Sequence, residues 1–293
     1  VHCCNRWTVL AEAMFLRRSD AGPLPLIRHQ ETGATLLNAN NLEFNHEVVP
    51  RLQIIREKCN CWGWDINFFG TDAWSTSGRG GGPVSPVLVG PGIDFPSTMG
   101  GTIFQVDSSS ELYSAEFNIR RRCHDCVTVL AGFRWIEFSD DLVAYSTVPT
   151  VTEFYSIDAD NHLYGFQIGA DATLLQPTSR FRLDSIVRFG IFGNDADQTT
   201  RAPILTSLNG FVDEISADGG DVSLMAEFGL RGVVQLTPAC AVYGGYQVLW
   251  LDGLALAPDQ IPYTSLVAPG SATLHEDGEL YFHGATVGVQ LTF

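Results

Sequence analysis

"YFHGATVGVQLTF", Tyr281 to Phe293, closes the chain on an alternation of two kinds of residue. Tyr281, Ala285, Val287, Val289, Leu291 and Phe293 fall on one side of an extended strand, with His283 the exception. Gly284, Thr286, Gly288, Gln290 and Thr292 fall on the other. Two such different faces call for two different media. The same period of two recurs upstream and predicts ten strands, near 6–17, 50–58, 62–73, 110–121, 127–138, 161–175, 180–192, 221–236, 240–252 and 279–293. In the third, Trp62, Trp64, Ile66 and Phe68 oppose Gly63, Asp65, Asn67, Phe69 and Thr71; in the eighth, Val222, Leu224, Ala226, Phe228 and Leu230 oppose Ser223, Met225, Glu227, Gly229 and Arg231. No segment reads as a long amphipathic helix, and no apolar run approaches the roughly 20 residues of a membrane helix.

The connections sort by length. After the even-numbered strands they are short, Cys59 to Cys61, Arg122 to Cys126, Gln176 to Ser179 and Thr237 to Ala239, and after the odd-numbered ones they run to tens of residues. In antiparallel order every short turn lies at one end. The expectation is a ten-stranded antiparallel transmembrane β-barrel with short periplasmic turns and long extracellular loops, residues 1–293 forming a single domain. The last strand then completes the closed sheet, its apolar side in lipid and its small polar side in the lumen.

A soluble β-sandwich or ligand-binding barrel also alternates, so the polar face decides. With apolar groups outward, Glu12, Asp65, Glu116, Asp171, Asp184 and Glu227 point inward with Arg120, Arg134, Arg182, Arg188 and Arg231. That set is close to neutral and suits a lumen filled by ion pairs, in which Arg134, Arg182, Arg188 and Arg231 are expected to bond Glu116, Asp184 and Glu227. On the opposite face only Arg56 and the strand ends Arg6 and Arg17 depart from an uncharged surface. An apolar face of that extent needs lipid or a large partner to cover it.

Composition fits. The net charge of −16 argues against a nucleic-acid partner, which would need concentrated Lys and Arg. Lys58 is the one lysine among 17 basic residues, and arginine suits fixed, hydrogen-bonded pairs. Val1 to Arg18 lacks a basic start followed by an apolar run, the expectation for an already processed chain.

The stretches "AEAMFLRRSDAGPLPLI" (Ala11 to Ile27), "ELYSAEFNIRRR" (Glu111 to Arg122) with "LAGFRWIEF" (Leu130 to Phe138), "NHLYGFQIGADATLL" (Asn161 to Leu175) and "YQVLWLDGLALAPDQI" (Tyr246 to Ile261) resemble the outer-membrane β-barrel proteins abundant in planctomycetes. The last is the most distinctive, and the resemblance covers most of the chain. It implies an integral barrel of the bacterial outer membrane, with no catalytic motif to carry over. The terminal Phe resembles the signal by which such proteins are recognised for assembly. Clustered cysteines are the departure from the family.

Cys3, Cys4, Cys59, Cys61, Cys123, Cys126 and Cys240 fall at the short-turn end or in the segment leading into it. An oxidising periplasm favours disulfides among them, and the odd count leaves at least one unpaired within the chain. Zinc on His2 or His124 with thiolates is a lesser candidate, since "CHDC" (Cys123 to Cys126) has no second such pair. The same motif lies in a hairpin rather than ahead of a helix, so thiol activation lacks its usual source. No CxxCH is present for covalent haem.

The expected outer loops are acidic: "SDD" (Ser139 to Asp141), "DADNH" (Asp158 to His162), "NDAD" (Asn194 to Asp197) and "HEDGE" (His275 to Glu279). Asp158, Asp160 and Asn161 are a calcium candidate, although no complete calcium loop follows and solvated acidic turns are favoured. "GRGGGPVSPVLVGPG" (Gly78 to Gly92) is expected as a loop poor at regular strand, over the barrel mouth or docked on a neighbour. No serine elbow, phosphate loop or HExxH motif appears. The resulting expectation is a non-enzymatic barrel with a structural or interaction role, without cofactor apart from calcium in the outer loops. Its partners are outer-membrane lipid and either further copies or other envelope proteins met through loops or rim. The alternative is a narrow solute or ion channel of porin type, and a hydrolase using His162 or His275 ranks third.

Overall fold

The computed structural model describes residues 5–80, 86–96, 103–148, 151–202 and 212–293. Ten long strands pair antiparallel in chain order and close on themselves. They are β1 (Arg6–Arg18), β2 (His46–Glu57), β3 (Trp62–Gly80), β4 (Ile103–His124), β5 (Val127–Val148), β6 (Val151–Leu175), β7 (Phe181–Arg201), β8 (Glu214–Thr237), β9 (Cys240–Leu254) and β10 (Gly278–Thr292). Closure joins the two ends of the chain: β1 and β10 pair from Thr8 with Thr292 to Arg18 with Phe282, and Trp7 and Phe293 exchange both backbone hydrogen bonds, at 2.8 and 3.0 Å. A closed ladder leaves no edge, as a strand in lipid requires.

The glycines of the terminal strand serve this closure. A Cβ on Gly284 would lie 1.8 Å from the Phe15 carbonyl oxygen of β1, and one on Gly288 would lie 2.5 Å from the Tyr243 ring of β9. The small face of "YFHGATVGVQLTF" is therefore the inward face, packed where neighbouring strands and a lumen aromatic come close.

Near the short turns the alternation is inside-out relative to a soluble protein. On β6, Tyr164, Phe166 and Ile168 point outward, the latter two 72 % and 65 % exposed, while Gln167 points inward and is buried. From Tyr164 to Leu174 this apolar band spans about 25 Å at the usual strand rise and tilt, the height of a barrel's lipid-facing belt. Two arginines on this face stack on tryptophans near the short turns: Arg56 lies 4.9 Å from the Trp7 ring and Arg121 5.2 Å from Trp62, where stems rest on the apolar belt and charges reach the interface. Arg6, expected on this face, instead shares the inward side with Thr8 and Glu12 and pairs with Glu57 at 2.6 Å. Its position, six residues before Glu12, gives it the inward parity.

Farther from the short turns the strands continue, and the polarity of their faces reverses. On β6 above His162 the outward residues are Asp160 and Asp158, and the inward ones are Ala159, Ile157 and Tyr155, all buried. On β5 the outward Ser139 and Asp141 alternate with buried Phe138, Leu142 and Ala144. "SDD", "DADNH" and "NDAD" thus lie in strands rather than loops, because alternation of either sign sustains a strand.

The connections between β1 and β2 and between β9 and β10 fold against these inward apolar residues. Leu26, Ile27, Leu37 and Leu42 from the first, and Ala255, Ala257, Ile261 and Leu266 from the second, form one buried cluster with Phe104, Leu142, Tyr155 and Ile157. A small sheet, in the order Thr35–Asn38, Pro25–His29, Pro86–Gly90 and Ile93–Pro96, covers this end. Part of "GRGGGPVSPVLVGPG" is therefore strand after all, paired to Ile27 and Arg28 through Leu88 and Val87, while 81–85 lie outside the described residues. A single turn of α-helix, Ala257–Gln260, follows β9.

Candidate functional site

The interior of the barrel is stratified along its axis. At the short-turn end lies a cavity of about 330 Å³, reached past the hairpin of β4 and β5. Above it is a layer of charge pairs. Arg120 bridges Asp65 at 2.7 Å and Asp171 at 2.6 Å, and Arg188 bridges Asp171 at 3.0 Å and approaches Glu116 at 3.8 Å. Glu227 accepts from Arg134 at 2.7 Å, from Arg51 at 3.0 Å and from Gln247 at 3.0 Å. Glu12 accepts from Arg231 at 2.9 Å and lies 3.6 Å from Arg51. Arg182 pairs with Asp184 at 2.7 Å nearer the rim.

All eleven lumen residues expected from the sequence face inward and are paired, but two partners differ. Arg231 bonds Glu12, and Arg188 is held chiefly by Asp171 rather than by Glu116 or Glu227. Arg51 was not anticipated, yet its parity announced it: in "PRLQIIRE" Arg51 and Gln53 alternate with Leu52 and Ile54. Amide side chains complete the layer. Asn67, Asn118 and Gln167 all donate to the Glu116 carboxylate, satisfying lone pairs that burial would otherwise leave costly. Arg51 and Arg134 also lie over the Phe69 ring, at 4.8 and 5.4 Å.

Above the charges comes a mainly apolar layer. Met14, Leu16, Phe69, Trp74, Ile136, Phe138, Leu163, Met225, Leu249 and Phe282 are buried together across the lumen. One ion pair lies at its upper boundary: Arg18 and Asp140, 2.5 Å apart and 1 % and 0 % exposed, with Ser110 bonded to both. Asp140 also accepts from the Ala257 backbone at 3.0 Å. Asn161 accepts from the Ala255 amide at 2.7 Å and donates to its carbonyl at 2.8 Å. These contacts fasten the β9–β10 connection inside the barrel.

Asp158, Asp160 and Asn161 are not brought together. In a strand, neighbouring side chains point to opposite faces, so Asn161 faces inward on Ala255 while Asp158 pairs outward with Arg201 at 2.6 Å and Asp160 accepts from Ser139 at 2.5 Å. Among the described residues no group of three or more His, Cys, Asp or Glu side chains is placed to hold a metal. Outward carboxylates instead crowd one another. Burial and the neighbouring Asp158, Asp140, Asp160 and Glu111 push the Asp141 carboxyl up to about 6, and burial with Asp160, Asp195 and Asp218 raises Asp197.

The rim thiols divide. Cys61 is disulfide-bonded. Cys59, Cys123, Cys126 and Cys240 are free, which removes them as disulfide candidates, and Cys3 and Cys4 lie outside the described residues. Cys123 falls at a break in the β4–β5 register and donates to the Arg121 carbonyl, while Cys126 lies 3.4 Å from the His124 ring; the hairpin turns the two thiols to different neighbours. His162 and His275 are apart as well: His162 pairs across the ladder with Glu137 and Asp195, and His275 stacks on Tyr263 at 4.4 Å.

Among curated proteins none matches the chain. Solved structures with a similar course include the outer membrane protease OmpT of Escherichia coli, with TM-score 0.49, 11 % identity and 99 % of this chain and 97 % of that one covered. The translocator domain of the autotransporter NalP of Neisseria meningitidis gives 0.43 at 11 %, covering 98 % and 88 %. The attachment invasion locus protein Ail of Yersinia pestis gives 0.30 at 9 %, covering 99 % of each chain. These values say nothing of activity. A sequence family, "Putative beta barrel porin-7 (BBP7)", matches residues 57–293. With its closed ten-stranded sheet and lipid-facing belt, the chain belongs to this family of porin-like barrels and resides in the bacterial outer membrane, embedded in its lipid.

Proposed function

We propose that this barrel is a single structural and interaction domain whose lumen is filled, rather than an open pore. The observation that carries the reading is the succession of two sealed layers: the Arg51, Arg134 and Glu227 set, each side chain at most 4 % exposed, and the apolar layer above it. Ions crossing the membrane would have to leave water and displace both. The reading places contact with other envelope proteins, or further copies, on the outer acidic surface and rim. Calcium then gathers diffusely on the outward carboxylates instead of in a triad. The reading assigns no enzymatic role: it takes the pairing of His162 with Glu137 and Asp195 across the ladder, and of His275 with Asp277 at 3.6 Å, as part of the acidic outer surface. The planctomycete resemblance of "YQVLWLDGLALAPDQI" supports an origin in such an envelope.

Planar-bilayer conductance of the detergent-purified protein, with a heat-modifiable gel shift to establish folding, tests this. A folded band without steady current is the expected result. Stable single-channel steps would overturn it in favour of a narrow channel.

A further inference from the structure

The cavity at the short-turn end is a dead end for a filled lumen and an antechamber for a conducting one, and its chemistry is the same in either case. Six arginines and four carboxylates face it, in a chain whose net charge is −16. The arginines are paired, but a guanidinium has five donors and a carboxylate occupies only one edge of it. Arg182 gives Nε to Asp184 and one terminal nitrogen to Gln290. Arg231 gives one terminal nitrogen to Glu12. Two buried polar atoms of residues that line the cavity have no partner among the described residues: the Tyr243 hydroxyl and Nε of Arg120, in residues only 4 % and 6 % exposed. The Arg231 guanidinium lies 5.1 Å from the Tyr243 ring, which brings spare donors and the unpaired phenol together. Gly288 keeps this arrangement open, since a Cβ there would strike the Tyr243 ring and hydroxyl.

A buried donor without an acceptor costs free energy that a suitable ligand recovers. The group that supplies several charged acceptors at once is an oxyanion. We propose that this vestibule binds a small phosphate-bearing solute from the periplasm, orthophosphate or a phosphomonoester, held by Arg182, Arg231, Arg120 and the Tyr243 hydroxyl. Cys126, exposed and with a free thiol, stands at the cavity mouth and reports occupancy, while Cys59 lies outside the cavity.

The test uses the folded full chain in detergent, titrated with orthophosphate by calorimetry against chloride at matched ionic strength. In parallel, the rate at which N-ethylmaleimide modifies each cysteine is read by peptide mass mapping. Saturable uptake is expected, with Cys126 slowed and Cys59 unchanged. Tyr243→Phe removes a hydroxyl that bonds nothing among the described residues, so folding is kept, and phosphate affinity falls about three- to tenfold. Arg182→Gln lowers it by about tenfold. No saturable uptake, or equal slowing of Cys59 and Cys126, or a folded Tyr243→Phe protein that binds phosphate as tightly as the parent, would each overturn the proposal.

Discussion

Replacing Glu227 by Gln changes one atom type at the point where the lumen is most tightly sealed. The carboxylate accepts from Arg51, Arg134 and Gln247, and its side chain is 3 % exposed. Arg51 keeps a second carboxylate, Glu12 at 3.6 Å, but Arg134 has no other ion-pair partner among the described residues; it keeps Ser114, and its second terminal nitrogen already bonds nothing. The substitution therefore leaves the buried Arg134 guanidinium without its ion-pair partner, with only the Glu116 charge across the ladder near it, and turns an amide N–H toward it. Breaking a buried pair on one side costs roughly 3–5 kcal/mol, and the retained carbonyl oxygen places this change near the lower end, about 3 kcal/mol. Urea unfolding in lipid vesicles, followed by tryptophan fluorescence and by the heat-modifiable gel shift, measures it. The double change Glu227→Gln with Arg134→Met should recover most of the loss, because a thioether packs on Phe69 without needing a partner. A loss below about 1 kcal/mol would mean that water screens the pair as it does at a surface, and a wet lumen would undo the argument for a filled barrel.

Asp141 sets a pH dependence outside the membrane. Its carboxyl, raised to about 6, holds a proton more tightly in the folded barrel than in the unfolded chain, so stability falls as pH rises from about 4 through 6. Asp141→Asn should flatten that slope and resist denaturant better at pH 7.5; a weaker variant at that pH would contradict the sign. Asn161→Ala strands the Ala255 amide and carbonyl, at a cost of about 2–4 kcal/mol, and should bring protease cleavage within 255–277 before the barrel itself is cut. Mass mapping should find Cys59, Cys123, Cys126 and Cys240 alkylated without reductant and Cys61 only after it; Cys61 modified in the native protein without reduction would refute the assignment.

The membrane-crossing part was legible because its alternation has one sign throughout: β9, β10 and the lower half of β3 begin and end close to where "YQVLWL", "YFHGATVGVQLTF" and "WGWDINFF" suggest. β5, β6 and β7 proved much longer than their apolar-out segments. Beyond Glu137 and His162 the acids move to the outer face and the aliphatics to the inner one, and a reading that equates acidic with loop stops there. The ion-pair residues were legible by parity, but their pairing was not, since Arg231 reaches Glu12 across 219 positions of sequence. The fastening of the β9–β10 connection by Asn161 and Asp140 had no sequence signal, because a buried amide and a solvated one look the same in a string of letters.

The reversal of faces along β5 and β6 also acts as a depth gauge. Were the barrel to ride outward by one pair of residues, Tyr164 and Trp135 would leave the bilayer; were it to sink by the same amount, Glu137 and His162 would enter hydrocarbon. Both displacements are penalised, and the penalties act around the part of the circumference where the reversal occurs. The protein therefore has one vertical position, and a bilayer of different thickness must deform to meet it rather than the reverse. Lipids around this barrel should accordingly be thinned or thickened to a fixed height, a property that would sort it toward membrane patches already of that thickness.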